Sequence, residues 1–76
     1  MILELDLGNT RGKWRMVDHQ GALQISGTGH VDEWIDGNMP VAWRGIKRVR
    51  AGSVLSSAKN AALADRLQTQ IGRAHV

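Results

Sequence analysis

Asp6, Gly8, Asn9, Thr10 and Lys13 form the pattern Asp-x-Gly-Asn-Thr-x-x-Lys near the start of a 76-residue chain. Each position has a chemical use. A carboxylate at the end of a strand can hold Mg²⁺, directly or through water, beside a nucleotide's phosphates. Glycine removes the side chain where backbone must bend and approach a phosphate. Asn9 and Thr10 bring an amide, a hydroxyl and backbone N–H donors to anionic oxygens. Lys13 adds a positive charge. The run is not a P-loop, because the glycine series and helix of GxxxxGK[ST] are absent. The same residue types also make good hairpin turns. Spacing alone therefore leaves both a turn and a phosphate site open.

The elements that must position these residues follow from periodicity. In residues 1–7, Leu3, Leu5 and Leu7 alternate with Glu4 and Asp6, which predicts a strand with one apolar face. Gly8, Asn9 and Thr10 break it. Strand character resumes over residues 13–17, with Trp14 and Met16 on one face and Trp14 in the core. Residues 18–21 read as a turn, and Leu23 and Ile25 then alternate with Gln24 and Ser26. Three strands on two short turns predict an antiparallel meander, ended by Gly27 and Gly29. A short helix is expected over residues 31–35, stopped by Gly37, Asn38 and Pro40. Residues 36–47 read mainly as loop. A fourth strand is expected over residues 48–55, with Val49, Ala51 and Ser53 on one face. Asn60 is expected to cap a helix over residues 61–70, where Leu63 and Leu67 share a face. Trp34 and Trp43 are expected to cover the sheet or to lie partly exposed.

Composition narrows the function classes. The chain is long enough for one small domain, and its core should be thin. It lacks cysteine, so disulfides and thiolate metal sites are excluded. His19 and His30 have no partner at metal-ligand spacing. Ser53, Ser56 and Ser57 lack the His–Asp partnership that would make a nucleophile. Asp32, Glu33 and Asp36 read as a solvated helix start. No run approaches the roughly 20 apolar residues of a membrane span, and no signal peptide is read. A cytoplasmic protein is expected, without a membrane partner. The net charge is +3 and the pI near 10.2. Arg44, Lys47, Arg48 and Arg50 are read as a solvated loop and strand edge, so a nucleic-acid partner is not expected.

The segment Leu5-Asp6-Leu7-Gly8-Asn9-Thr10, followed by Lys13-Trp14-Arg15, resembles the first phosphate motif of the acetate and sugar kinase, Hsp70 and actin superfamily. Within it, the pattern DxGNTxxK is most similar to type III pantothenate kinases. Residues 48–54 are similar to that family's next strand. The resemblance covers residues 1 to about 70 in element order, and its specificity rests on residues 5–15.

The resemblance implies an α/β fold: the first part of a ribonuclease-H-like (actin-like ATPase) domain, an antiparallel three-stranded meander followed by a parallel strand and helix. It implies that Asp6, Leu7, Gly8, Asn9, Thr10, Arg11, Gly12 and Lys13 line the ATP phosphates, with Asp6 positioning Mg²⁺. The implied reaction is transfer of the ATP γ-phosphoryl group to pantothenate, the first step toward coenzyme A. A monovalent cation (K⁺ or NH₄⁺) is implied as well, and a homodimer for the complete enzyme. Gly12 departs from the family, which usually places an apolar residue there. The family's pantothenate-binding segment, catalytic Asp, second phosphate motif and adenosine motif have no counterpart here. Residues 1–70 are therefore expected to be an incomplete first domain, inactive alone, with apolar sheet surface left uncovered.

Residues 71–76 are expected to be a non-native tail. One codon choice for them spells a common sequencing-library adapter running into a stop codon. The alternative functions are a non-catalytic regulatory or transcription accessory module of the same superfamily and a small basic nucleic-acid-binding domain.

Overall fold

Alternating leucines and a hairpin turn do produce the meander. The computed structural model describes residues 1–71, the last by its backbone alone. The expected tail at residues 71–76 thus lies, beyond that backbone, outside the described residues. Strands β1 (Ile2–Leu7), β2 (Arg11–Val17) and β3 (Leu23–His30) precede a short helix α1 (Val31–Ile35). A 3-10 turn (Val41–Trp43), strand β4 (Arg48–Ser53) and helix α2 (Ser57–Ile71) follow. The four strands form one mixed sheet in the order β3-β2-β1-β4. β1 pairs antiparallel with β2 and parallel with β4, and β2 pairs antiparallel with β3. This is an α/β architecture with one parallel strand beside an antiparallel meander.

Register sorts the side chains to two faces. Leu3, Leu5 and Leu7 lie opposite Met16, Trp14 and Gly12 on one side, and opposite Val49, Ala51 and Ser53 on the other. This face packs against Val31 and Trp34 of α1, Trp43 and Ile46 of the connecting segment, and Leu63 and Leu67 of α2. Both helices therefore cover one face. The other carries Glu4, Asp6, Lys13, Arg15 and Arg50, so the uncovered sheet surface is charged rather than apolar. Large apolar side chains exposed elsewhere are scattered, among them Leu23 and Val54.

Several details depart from the sequence reading. β3 does not stop at Gly27; it runs through Gly29 to His30, paired with β2 along its length. The reason is tryptophan. A Cβ on Gly27 would stand 2.7 Å from the Trp14 ring, and one on Gly29 would stand 2.8 Å from the Trp34 ring. These glycines are the floor on which two indoles lie, and they cost the strand no pairing. Of the two expectations for Trp34 and Trp43, covering the sheet holds and partial exposure does not: they are 2% and 1% exposed. Trp43 sits between the other two rings, edge-on to Trp14 at 5.9 Å and tilted against Trp34 at 5.0 Å. Its indole N–H is buried with no acceptor among the described residues. Three indoles concentrate in one place much of the apolar burial that a thin domain needs.

Helix α2 begins at Ser57, four residues before the expected start. Ser56, not Asn60, is the cap. Its hydroxyl accepts the Lys59 N–H at 3.3 Å, and its carbonyl accepts the Asn60 N–H at 2.9 Å. Asn60 instead ties the helix to β4. Its amide oxygen accepts the Ser53 hydroxyl at 2.7 Å, and its amide nitrogen donates to the Leu55 carbonyl at 3.2 Å. β4 ends at Ser53 rather than Leu55, and the loop over residues 36–47 contains one 3-10 turn.

The β2–β3 turn is organised by Asp18. Its Oδ1 accepts the N–H of Gln20 at 2.8 Å and of Ala22 at 3.0 Å. The Ala22 bond chiefly, then the Gln20 bond, the nearby His19 charge and the Gly21 bond, hold its carboxyl below the ordinary 3.8 against a smaller opposing effect of desolvation. A carboxyl depressed by folding stabilises above its unfolded value and loses that contribution as pH falls through its folded value. Thermal melts of the wild type should therefore lose a component below about pH 3.8 that Asp18→Asn lacks. Equal acid sensitivity in the two proteins would remove Asp18 from this role.

Candidate functional site

The β1–β2 hairpin brings residues 6–13 to one end of the sheet. The Gly8 N–H donates to the Arg11 carbonyl at 2.9 Å, closing the turn around Asn9 and Thr10. A Cβ on Gly8 would stand 3.0 Å from that same carbonyl oxygen, so glycine permits the close approach. The Thr10 carbonyl accepts the Val31 N–H at 2.9 Å, which pins the turn to the start of α1. The N–H groups of Asn9 and Thr10 have no protein acceptor among the described residues. They leave two backbone donors at the hairpin tip.

β1 and β4 are parallel, and both end here. The Val54 N–H donates to the Leu7 carbonyl at 3.1 Å, joining the chain after β4 to the end of β1. In open α/β sheets, ligands bind beyond the carboxyl ends of the parallel strands. The hairpin occupies that position. A shallow concavity of about 420 Å³ lies against it, bordered by Asp6, Gly8, Arg11, Lys13, Thr28 and Val54.

The strand alternation divides the expected residues. Asp6, Arg11 and Lys13 are exposed on the charged face, and Asp6 and Lys13 face each other across β1 and β2. Asn9 and Thr10 are exposed at the tip. Leu7 is 1% exposed, with its side chain in the core, so it can offer a ligand only backbone, and its carbonyl is already engaged. Gly12 is buried beneath the Trp34 ring. The indole takes the space that a side chain at this position would hold.

Asp6 has no ion-pair partner within 4.0 Å among the described residues. Its carboxylate is free to face a cation. No group of three or more His, Cys, Asp or Glu side chains converges among the described residues. A dedicated protein cage for a metal is therefore not built here. Mg²⁺ does not need one, since one or two carboxylates plus substrate phosphates and water satisfy it. The donor set fits Mg²⁺ delivered with a nucleotide.

Thr28 is the residue that sequence reasoning missed. It lies opposite Lys13 in the β2–β3 register and borders the concavity. The expected end of the meander at Gly27 hid it; only the full length of β3 brings it beside the loop. His30, opposite Arg11, joins the same end of the sheet and is exposed.

No family model matches the chain, and no curated protein matches it. Among the described residues, no helix is long and apolar enough to cross a membrane.

Proposed function

We propose that residues 6–13 form one wall of an ATP site in a kinase that phosphorylates pantothenate to 4'-phosphopantothenate. The observation that carries this reading is the hairpin tip. Asp6 and Lys13 border one concavity where two parallel strands end, and the adjoining turn carries two backbone N–H groups; neither these nor the Asp6 carboxylate has a partner among the described residues. Backbone donors and Lys13 would take phosphate oxygens, and Asp6 would share Mg²⁺ with them. Phosphoryl transfer depends chiefly on such positioning and charge neutralisation. The β3-β2-β1-β4 order and the element sequence support a ribonuclease-H-like domain, the fold that the resemblance of residues 5–15 implies. On this reading the second wall, the acceptor pocket and the catalytic Asp belong to parts of the enzyme that these residues do not supply. A monovalent cation and a homodimer belong to the same reading.

The test is ATP binding to the full-length protein, with and without Mg²⁺, for wild type and Asp6→Asn. Loss of one charged interaction is worth about 1.5–3 kcal/mol. Asp6→Asn should therefore bind ATP at least roughly tenfold more weakly with Mg²⁺ and nearly equally without it. Pantothenate phosphorylation should fall in parallel. Unchanged affinity and turnover in Asp6→Asn would defeat the assignment.

A further inference from the structure

Among the described residues, the uncovered sheet face holds the excess of positive charge. Arg11, Lys13 and Arg15 project from β2, and Arg48 and Arg50 from β4. Only Glu4 and Asp6 of β1 oppose them there. Among the described residues, this face holds five cations against two carboxylates, while the others hold four cations against five carboxylates. The described positive excess therefore sits on one side of the sheet. No helix shields it, because both helices pack on the opposite face.

The cations stand in two rails. Alternate residues on a strand are about 6.8 Å apart, and β2 and β4 flank β1 at about 9.6 Å from each other. A concavity of about 850 Å³ spans all four strands on this face, bordered by Lys13, Arg15 and Arg50 and reaching Ser26 and Thr28 on β3. Glu4 occupies the middle. Its two carboxylate oxygens each take one guanidinium at 2.6 Å, Arg15 on one side and Arg50 on the other. Both arginines remain about 60% exposed, at 62% and 60%.

We propose that this face docks the phosphate backbone of a single-stranded nucleic acid, and that Glu4 holds two of its five cations back. The repeat along β2 presents one cation per successive phosphate of an extended strand. The three tryptophans lie in the core on the other face, so none of them offers bases a stacking platform here. Recognition is then by backbone charge, independent of base sequence and strongly dependent on salt. The other described residues carry one more acidic than basic group, which favours contact through this face. The site extends beyond the hairpin concavity to Arg15, Arg48 and Arg50 but shares Arg11 and Lys13 with residues 6–13, so the salt titration is made without ATP, and Arg48→Ala tests this face apart from the ATP reading.

Fluorescence anisotropy of a labelled twelve-nucleotide oligo-dT against salt tests the proposal on the intact chain. Each phosphate neutralised on a single strand contributes a slope of about −0.7 to log K against log salt. Arg11, Lys13 and Arg48 free of Glu4 predict a slope of about −2 for the wild type. Glu4→Gln frees Arg15 and Arg50, so binding should tighten and the slope approach about −3.5. Arg48→Ala should reduce the wild-type slope by about 0.7, whereas Lys59→Ala, on α2, should not change it. Circular dichroism confirms that each variant is folded. Equal binding by wild type and Glu4→Gln, or equal slopes for Arg48→Ala and Lys59→Ala, would overturn the proposal. So would binding to phosphatidylserine vesicles or inorganic polyphosphate without binding to oligo-dT.

Discussion

Gly12→Val is expected to destabilise the chain by about 3 kcal/mol, the upper range for overpacking a filled site. A Cβ at Gly12 would stand 2.5 Å from Trp34 Cζ3, 2.8 Å from Trp34 Cη2 and 3.0 Å from Leu7 Cδ2. None of these is the loose end of a flexible side chain. Trp34 is 2% exposed and in contact with Trp43, and Leu7 is 1% exposed, so neither can move aside without disturbing others. Valine is favoured in strands, but that preference spans only about 1 kcal/mol and loses to the clash. The partner to change with Gly12 is Trp34. In a Trp34→Leu background the space over Gly12 opens, and Gly12→Val should cost much less than in the wild type. Urea denaturation of the four proteins gives the coupling, expected at about 1–3 kcal/mol in favour of the double variant. Additive effects would show that the indole is not what excludes a side chain from Gly12.

This pair explains what could and could not be read from sequence. The alternation of Leu3, Leu5 and Leu7 made β1 legible, and the turn residues after it made the hairpin legible. Both depend on local chemistry. Leu63 and Leu67 marked the buried side of α2 for the same reason. The end of β3 was misread because glycine usually weakens a strand. Here Gly27 and Gly29 serve rings contributed by Trp14 and by Trp34, and the former contact joins two different strands. Asn60 looked like a cap because asparagine usually is one. Its side chain instead answers Ser53, a residue on a different element. In each case the misleading signal was a local preference overruled by a tertiary contact.

The candidate site divides in the same way. Asp6, Asn9, Thr10 and Lys13 were legible because they adjoin a turn whose spacing carries the chemistry. Thr28 was not, since only strand register places it opposite Lys13. The charged face was visible in composition as a net charge, but its confinement to one side was not. Arg11, Lys13 and Arg15 alternate on β2, Arg48 and Arg50 on β4, and the parallel β1–β4 pairing is what places both sets on one surface. That pairing joins segments more than forty residues apart, as the Arg50–Glu4 bond across 46 positions illustrates.

Leu63→Ala should be the most damaging simple truncation in α2. Among the described residues of that helix, only Leu63 and Leu67 are fully buried, each at 0% exposure. They belong to the same apolar cluster as Leu3, Leu5, Leu7 and Trp34, so the helix closes the core over the strands that carry the hairpin. Polar ties support the docking but cannot replace it. Arg66 Nε donates to the Ile35 carbonyl at 3.1 Å, and Lys59 approaches Asp32 at 3.4 Å on an exposed surface, where an ion pair adds little. A fifteen-residue helix is marginal in water by itself, so α2 owes its helicity largely to this packing. Removing a fully buried leucine costs about 2–5 kcal/mol. A domain of this size holds only about 4–11 kcal/mol in all. The expected result is a fall in Tm of at least about 10 °C, with helix and sheet signals lost together, because uncovering the sheet removes its core. Ala62→Ser, at an exposed position of the same helix, should shift Tm by only a few degrees. A Leu63→Ala protein that lost helix signal but kept a cooperative sheet transition near the wild-type Tm would show that the sheet and the hairpin stand without α2.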